Sequence, residues 1–269
     1  MNFYSTSSNR VDRQLVNSRT AIFQGLAPDG GLYMPESFPL LDSNLVSMHD
    51  IALGVARAYF GQDLKEDVLR GIVEESFNFP CPLNQINEDT YFLELFCGPT
   101  GAFKDFGARF MSRIMGALLE KGKKLTIVVA TSGDTGGAVA AGFYGVPNID
   151  VVILYPKRRV SSLQEKQLTT FGNNIHALEV SGSFDDCQKL AKQALSDREL
   201  AAKKMLGSAN SINIARLIPQ TLYYFYTSKL VSNPLFIVPS GNFGNITAGL
   251  IAQKMGMKCS GFVAATNSN

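Results

Sequence analysis

The sequence predicts an α/β protein of parallel sheets with helices on both faces, joined to a mostly helical N-terminal portion. Three observations carry that expectation. From residue 125 onward, short β-branched or apolar runs alternate with longer helical patterns, the signature of parallel βαβ units. Two of the runs end in glycine-rich turns that open helices, at Thr131-Ser132-Gly133-Asp134-Thr135-Gly136 and at Pro239-Ser240-Gly241-Asn242-Phe243-Gly244-Asn245. Before residue 90 the apolar spacing is helical over 51–60 and 68–77, while Asp29-Gly30-Gly31 and Pro35 make turns.

The elements follow in order. Residues 125–130 read as a buried strand, 137–144 as a helix of small residues and 151–155 as the next strand. Residues 162–171 form a helix stopped by Gly172, after which 175–180 alternate into a strand. An amphipathic helix over 184–195 takes Ser183 as its N-cap, and a more aromatic helix fills 214–230. A strand over 235–238 leads through the second glycine turn into a helix over 246–255, and 262–265 begin a further strand. An α/β sheet normally runs on from such a strand into a loop and helix, so a truncated sequence is expected. The expected domains are a mostly helical portion over 1–90 and an α/β region over 91–269, with a smaller α/β domain at roughly 105–210 inserted in the larger one.

Composition narrows the function. The 269 residues are 45% hydrophobic and 18% charged, an ordinary globular balance with enough chain for a sizeable core. A net charge of +2, with no basic run longer than Lys157-Arg158-Arg159, makes nucleic acid an unexpected partner. Four cysteines without a CxxC pair and two histidines assemble no zinc site, so no metal is expected and the thiols read as reduced and mostly buried. No apolar run approaches the roughly 20 residues of a membrane helix, and the first residues carry no secretory pattern; no membrane and a cytoplasmic location are expected.

The chemistry concentrates in three segments. Lys104 lies among Ala102, Phe103 and Phe106 at a turn-to-helix junction, where desolvation would lower its pKa towards Schiff-base formation. The same window also fits a surface lysine at a helix start, with Asp105 as a simple first-turn acid. The two glycine turns would present backbone N–H groups to an anion, although the first fits a tight βα connection equally well. Both would lie on one carboxyl edge of a parallel sheet, where ligands gather, and together they favour a phosphate-bearing ligand. Neither G-x-x-x-x-G-K-[ST] nor a strand-borne G-x-G-x-x-G occurs, which disfavours a nucleotide. A single Asp134-Thr135-Gly136 would serve an aspartic protease only as an obligate dimer.

Taken with Gly98-Pro99-Thr100-Gly101-Ala102-Phe103-Lys104-Asp105 and Asn210-Ser211-Ile212-Asn213-Ile214-Ala215-Arg216, the two turns make the sequence resemble the threonine synthases. Asp29-Gly30-Gly31-Leu32-Tyr33-Met34-Pro35 extends the resemblance almost to the start, in a structural role. The resemblance implies a fold-type II enzyme of the tryptophan-synthase-β-like fold that uses pyridoxal 5'-phosphate (PLP). It implies a carbon-oxygen lyase of threonine biosynthesis that converts O-phospho-L-homoserine and water to L-threonine and phosphate, as a monomer or homodimer. Lys104 is then the catalytic residue and the Schiff-base carrier of PLP, and Gly241, Asn242, Phe243, Gly244 and Asn245 cradle the cofactor phosphate. Ser132, Gly133, Asp134 and Thr135 receive the amino-acid end of the substrate, with Thr135, Ser211 and Arg216 as candidates for its phosphate. The residue opposite the pyridine nitrogen would lie beyond Asn269. Two other readings are a β-elimination or β-replacement enzyme acting on serine or threonine, and a catalytically idle metabolite-binding relative. The Asp134 turn and the 210–216 segment argue against the first, and Lys104 argues against the second.

Overall fold

In the computed structural model, which describes residues 1–9 and 13–268, the first eighty residues build a small antiparallel sheet and three helices. Strand β1 (Asn2–Ser5) lies between β2 (Val16–Asn17) and β3 (Tyr33–Pro35). Helix α1 (Ser18–Gln24) starts from Asn17, whose side chain accepts from the Thr20 N–H. Helices α2 (Met48–Phe60) and α3 (Glu66–Ser76) bury Ile51, Val55, Tyr59 and Leu69, Val73 at helical spacing. A short hairpin of β4 (Leu83–Gln85) and β5 (Tyr91–Leu93) leads to α4 (Lys104–Leu118).

Residues 125–208 form βαβ units: β6 (Leu125–Ala130), α5 (Asp134–Phe143), β7 (Ile149–Pro156), α6 (Ser162–Thr169), β8 (Ile175–Val180), α7 (Phe184–Ser196), α8 (Arg198–Lys203) and β9 (Met205–Ser208). The four strands form one parallel sheet in the order β8-β7-β6-β9. Strand β6 is apolar but for Thr126 because both of its faces are covered. Ile127 and Val129 point into the main core with α4 and α5, while Val128 and Ala130 meet Cys187 and Ala191 of α7 on the other side. Then come α9 (Ile214–Leu217), a 3-10 turn at Ile218–Gln220, α10 (Thr221–Leu230), β10 (Leu235–Pro239), α11 (Gly244–Lys254) and β11 (Gly261–Ala265), with β10 and β11 paired in parallel.

Several expectations are corrected. Helix α5 begins at Asp134, three residues before the expected 137, so Asp134 stands in its first turn. The single helix expected over 214–230 is broken around Pro219, which has no N–H to donate and whose ring disfavours a continuous α-helix. The N-terminal portion carries an antiparallel sheet as well as helices, and α1, α8, β9 and the β4–β5 hairpin were not expected. The cysteines divide evenly: Cys81 and Cys187 are buried, Cys97 and Cys259 half-buried, all as free thiols. Among the described residues no helix is long and apolar enough to cross a membrane, and no group of three His, Cys, Asp or Glu side chains could hold a metal ion.

Candidate active site

Lys104 is the first residue of α4, and the loop before it is folded by Asp105. That carboxylate is fully buried and accepts from the Thr100 N–H at 2.9 Å and the Thr100 hydroxyl at 2.7 Å. A side chain on Gly98 would place its Cβ 2.5 Å from the Asp105 carboxylate, so glycine there lets the loop close over the helix start. Asp105 is therefore a buried anchor, its pKa raised mainly by burial, rather than a surface first-turn acid.

The Lys104 side chain is 22% exposed, with Nζ 3.4 Å from Asp134 Oδ2 and 4.5 Å above the centre of the Phe103 ring. Burial depresses the amine's pKa. Asp134 opposes that shift through charge and hydrogen bonding, and the nearby Arg216 cation adds to it. Of the two readings of this window, the partly desolvated amine is the one the structure holds.

The turn after β6 is built by Thr131, which is buried. Its hydroxyl accepts from the N–H groups of Gly133 and Gly136, at 3.0 and 2.8 Å, and donates to the Gly133 carbonyl at 3.0 Å. Gly133 sits at φ 147°, a conformation side chains disfavour. The turn leaves Ser132 and Asp134 exposed and Thr135 half-buried, while Gly133 is buried beneath them. Asp134 Oδ1 accepts from Gln164 Nε2 of α6 at 2.8 Å.

The 210–216 segment is fastened to the same sheet edge. Asn210 pairs with Ala130 through both of its amide groups, at 2.7 and 3.2 Å, which ties it to the end of β6. Asn213 caps α9 by accepting from the Ala215 N–H, and donates to the carbonyls of Ile22 and Ser208. These fix Arg216, which is 3% exposed and donates through Nη1 to the Ala209 carbonyl at 2.6 Å. Its Nε has no hydrogen-bond partner, and among the described residues no carboxylate lies within ion-pair distance. Burial lowers its pKa to about 10, so it remains a cation at neutral pH. A buried cation without a counter-ion is costly unless an anion joins it.

The second glycine turn closes the site. Phe243, at φ 57°, turns the chain into α11 through the left-handed region, and the first residues of that helix, Gly244 and Asn245, line the same cavity as Lys104. Asn245 is held by two phenols: its Oδ1 accepts from Tyr223 at 2.7 Å and from Tyr224 at 2.8 Å. A cavity of about 410 Å³ lies between these segments. It is lined by Lys104, Ser132, Asp134, Thr135, Ser211, Arg216, Gly241, Asn242, Phe243, Gly244 and Asn245, so every candidate but the buried Gly133 reaches it. Gln164 and Gln220 also line it, and neither was among the candidates.

Comparison with known proteins accords with this geometry. A family described as pyridoxal-phosphate dependent enzyme matches residues 77–269, and one described as threonine synthase N terminus matches residues 2–77. The chain belongs to the pyridoxal-phosphate dependent enzymes. Within this family it is similar to the threonine synthase of Haemophilus influenzae, 46% identical over all of the chain and 64% of that protein. It is also similar to that of Escherichia coli, 44% identical over 94% of the chain and 62% of that protein. The crystal structure of threonine synthase from E. coli superposes with a TM-score of 0.90 at 41% identity, covering all of the chain and 64% of that structure. The PLP-bound threonine synthase from Brucella melitensis gives 0.90 at 38% identity, over 99% of the chain and 61% of that structure. The chain thus spans a little under two thirds of the length of these relatives.

The residues present fit the family's cofactor. Lys104 offers a partly desolvated amine on the cavity wall. On the same cavity, α11 starts at Gly244 just after Gly241, and no atom lies within 4 Å of where a side chain on Gly241 would begin, which leaves room for a phosphate. The buried Arg216 cation, its Nε without a partner, lines the same cavity.

Proposed function

We propose that this chain belongs to a threonine synthase, which converts O-phospho-L-homoserine and water to L-threonine and inorganic phosphate. The observation that carries this reading is the buried guanidinium of Arg216, with no carboxylate in ion-pair distance among the described residues, which opens on the same cavity as Lys104 and the α11 N-terminus. One cavity thereby offers two anion sites and an amine, as a phosphate-bearing cofactor and a phosphate-bearing substrate together require.

PLP, when bound, supplies the electron sink that makes the substrate's carbon acids labile. The chain's residues supply the rest. Lys104 carries the cofactor, and its amine is the base for the substrate's α-proton and the proton carrier at the β-carbon. Gly241, Asn242, Phe243, Gly244 and Asn245 hold the cofactor phosphate through backbone N–H groups at the start of α11. The Ser132 to Thr135 turn receives the amino-acid end of the substrate. Arg216, with Ser211 and Thr135, grips the phosphate that becomes the leaving group; a planar guanidinium binds two of its oxygens at once. Small molecules in the cytoplasm suffice as partners for this chemistry, and a monomer or homodimer would carry it.

The test is phosphate release from O-phospho-L-homoserine in the presence of PLP, together with borohydride reduction and peptide mapping. A pyridoxyl group on Lys104, and loss of phosphate release in a Ser211→Ala, Arg216→Ala double variant, are expected. Full activity in that double variant would overturn the substrate assignment.

A further inference from the structure

We propose that Gln164 is a positioning residue for this site, aiming the Asp134 carboxylate at the amine of Lys104. The inference rests on the reading of Lys104 given above. Both ends of the Gln164 amide are committed. Its Oε1 accepts from the Ser161 N–H at 3.2 Å and the Ser161 hydroxyl at 3.1 Å, completing the capping box at the start of α6. Its Nε2 donates to Asp134 Oδ1 at 2.8 Å. The cap therefore fixes which way the amide faces, and the amide fixes Asp134. With Oδ1 held, the other oxygen, Oδ2, stands 3.4 Å from Lys104 Nζ.

The turn makes room for this contact. A side chain on Gly133 would put its Cβ 2.3 Å from Gln164 Nε2, so only glycine lets the amide reach across to Asp134. Apart from the long 3.4 Å contact with Lys104 itself, nothing else among the described hydrogen bonds restrains that carboxylate, whose side chain is 52% exposed and can rotate towards water once Gln164 releases it. The charged groups facing Lys104 are Asp134 on α5 and Arg216 on α9. The wall from α6 adds the neutral Gln164, and residues 239–245 carry no titratable side chain. Asp134 is thus the sole anion of the set, and its orientation decides how far the amine remains protonated.

The cap and the contact with Asp134 can be separated experimentally. Glutamate serves a capping box as well as glutamine does. Gln164→Glu therefore keeps the cap, removes the donor and sets a second carboxylate against Asp134. Gln164→Ala removes both functions, and Ser161→Ala removes the cap while leaving the donor. The readout is acetic anhydride labelling of Lys104 in the cofactor-free protein, followed by peptide mass spectrometry from about pH 6 to about 11, since the rate tracks the neutral amine.

Relative to wild type at one pH below the amine's pKa, Gln164→Ala should label Lys104 about threefold faster or more, corresponding to a half-unit fall in pKa. Gln164→Glu should label it about threefold slower or more, because added negative charge holds the proton. Ser161→Ala should match wild type. If Gln164→Glu matches wild type while Ser161→Ala matches Gln164→Ala, Gln164 is only a cap and the proposal is overturned. It is equally overturned if the Ala and Glu variants move Lys104 in the same direction. Should Gln164→Ala fail to fold, the Glu and Ser161 variants still decide. Borohydride trapping of PLP on wild-type Lys104 tests the underlying reading separately, so failure of one is not mistaken for failure of the other.

Discussion

Gly107 leaves the space that the guanidinium of Arg216 occupies: a Cβ on Gly107 would sit 2.9 Å from Arg216 Nε and 2.8 Å from the Arg216 carbonyl oxygen. Gly107 is three residues beyond Lys104 on α4, so the helix that carries the amine also shapes the seat of the buried cation. Two effects compete in Gly107→Ala. Alanine improves an exposed helix interior by about 1 kcal/mol, whereas overpacking a tight core costs about 1–3 kcal/mol. The clash is with backbone and a buried guanidinium, which cannot swing aside, so overpacking should win. A net destabilisation of about 1–2 kcal/mol is expected in urea unfolding, with a raised KM for phosphohomoserine because Arg216 is displaced. An unchanged KM would dissociate Arg216 from the substrate phosphate.

The second prediction concerns Tyr223 and Tyr224. Burial pushes both phenols above their ordinary pKa, so they remain neutral donors to the Asn245 side-chain oxygen. Either Tyr→Phe variant leaves that oxygen one donor and should cost about 1 kcal/mol. The double variant leaves it none and should cost about 1–2 kcal/mol, since Asn245 is half-buried on the cavity wall and water replaces part of the lost bonding. Since Asn245 lies in the first turn of α11, PLP retention on dialysis should fall in the same order.

What the sequence disclosed, and what it hid, divides along physical lines. Strands β6 and β7 were legible because apolar runs are needed where both faces of a parallel sheet are covered, and the edge strand β8 because its residues alternate. The antiparallel strands β1 to β5 run to only two to four residues each, too little pattern to read. Strand β9 hid for another reason: Gly207 interrupts it because a Cβ there would lie 2.6 Å from the Phe23 carbonyl. Lys104, the glycine turns and Arg216 were found through motif and family resemblance, and the fold brings them to one cavity. Gln164 was invisible because its partner, Asp134, is thirty residues away and the contact exists only once α6 lies over the turn.

Thr131 gives the third prediction. Its hydroxyl is the acceptor for two N–H groups inside the Gly133 turn, both buried. Thr131→Val keeps the shape and removes the acceptor, stranding the Gly133 N–H at a cost of about 1–3 kcal/mol, while the Gly136 N–H keeps its bond to the Gly133 carbonyl at 3.0 Å. Thr131→Ser keeps the hydroxyl and loses only a methyl, which should cost about 1 kcal/mol. Urea unfolding should therefore rank wild type, Ser, Val in falling stability. The Val variant should also bind substrate more weakly, since Ser132 and Thr135 hang from this turn. Equal stability of the Ser and Val variants would mean that the turn finds other acceptors.

The last prediction turns the protonation of Lys104 into a stability measurement. Burial lowers the pKa of this amine below its ordinary 10.5. Between the depressed folded value and the unfolded one, the unfolded chain binds more protons, so stability rises with pH across that window. Below it the folded state bears the full cost of burying a charged amine. Asp134 offsets part of this, but its side chain is 52% exposed and solvent screens the pair, which leaves burial the larger effect. Lys104→Met, similar in length and apolar, removes both the cost and its pH dependence. The variant should unfold at higher temperature than wild type near neutral pH, and its advantage should shrink as pH rises from about 7 towards about 10. A difference that stays constant with pH would mean that the amine is not desolvated, and with it would go the argument that this lysine is prepared to react.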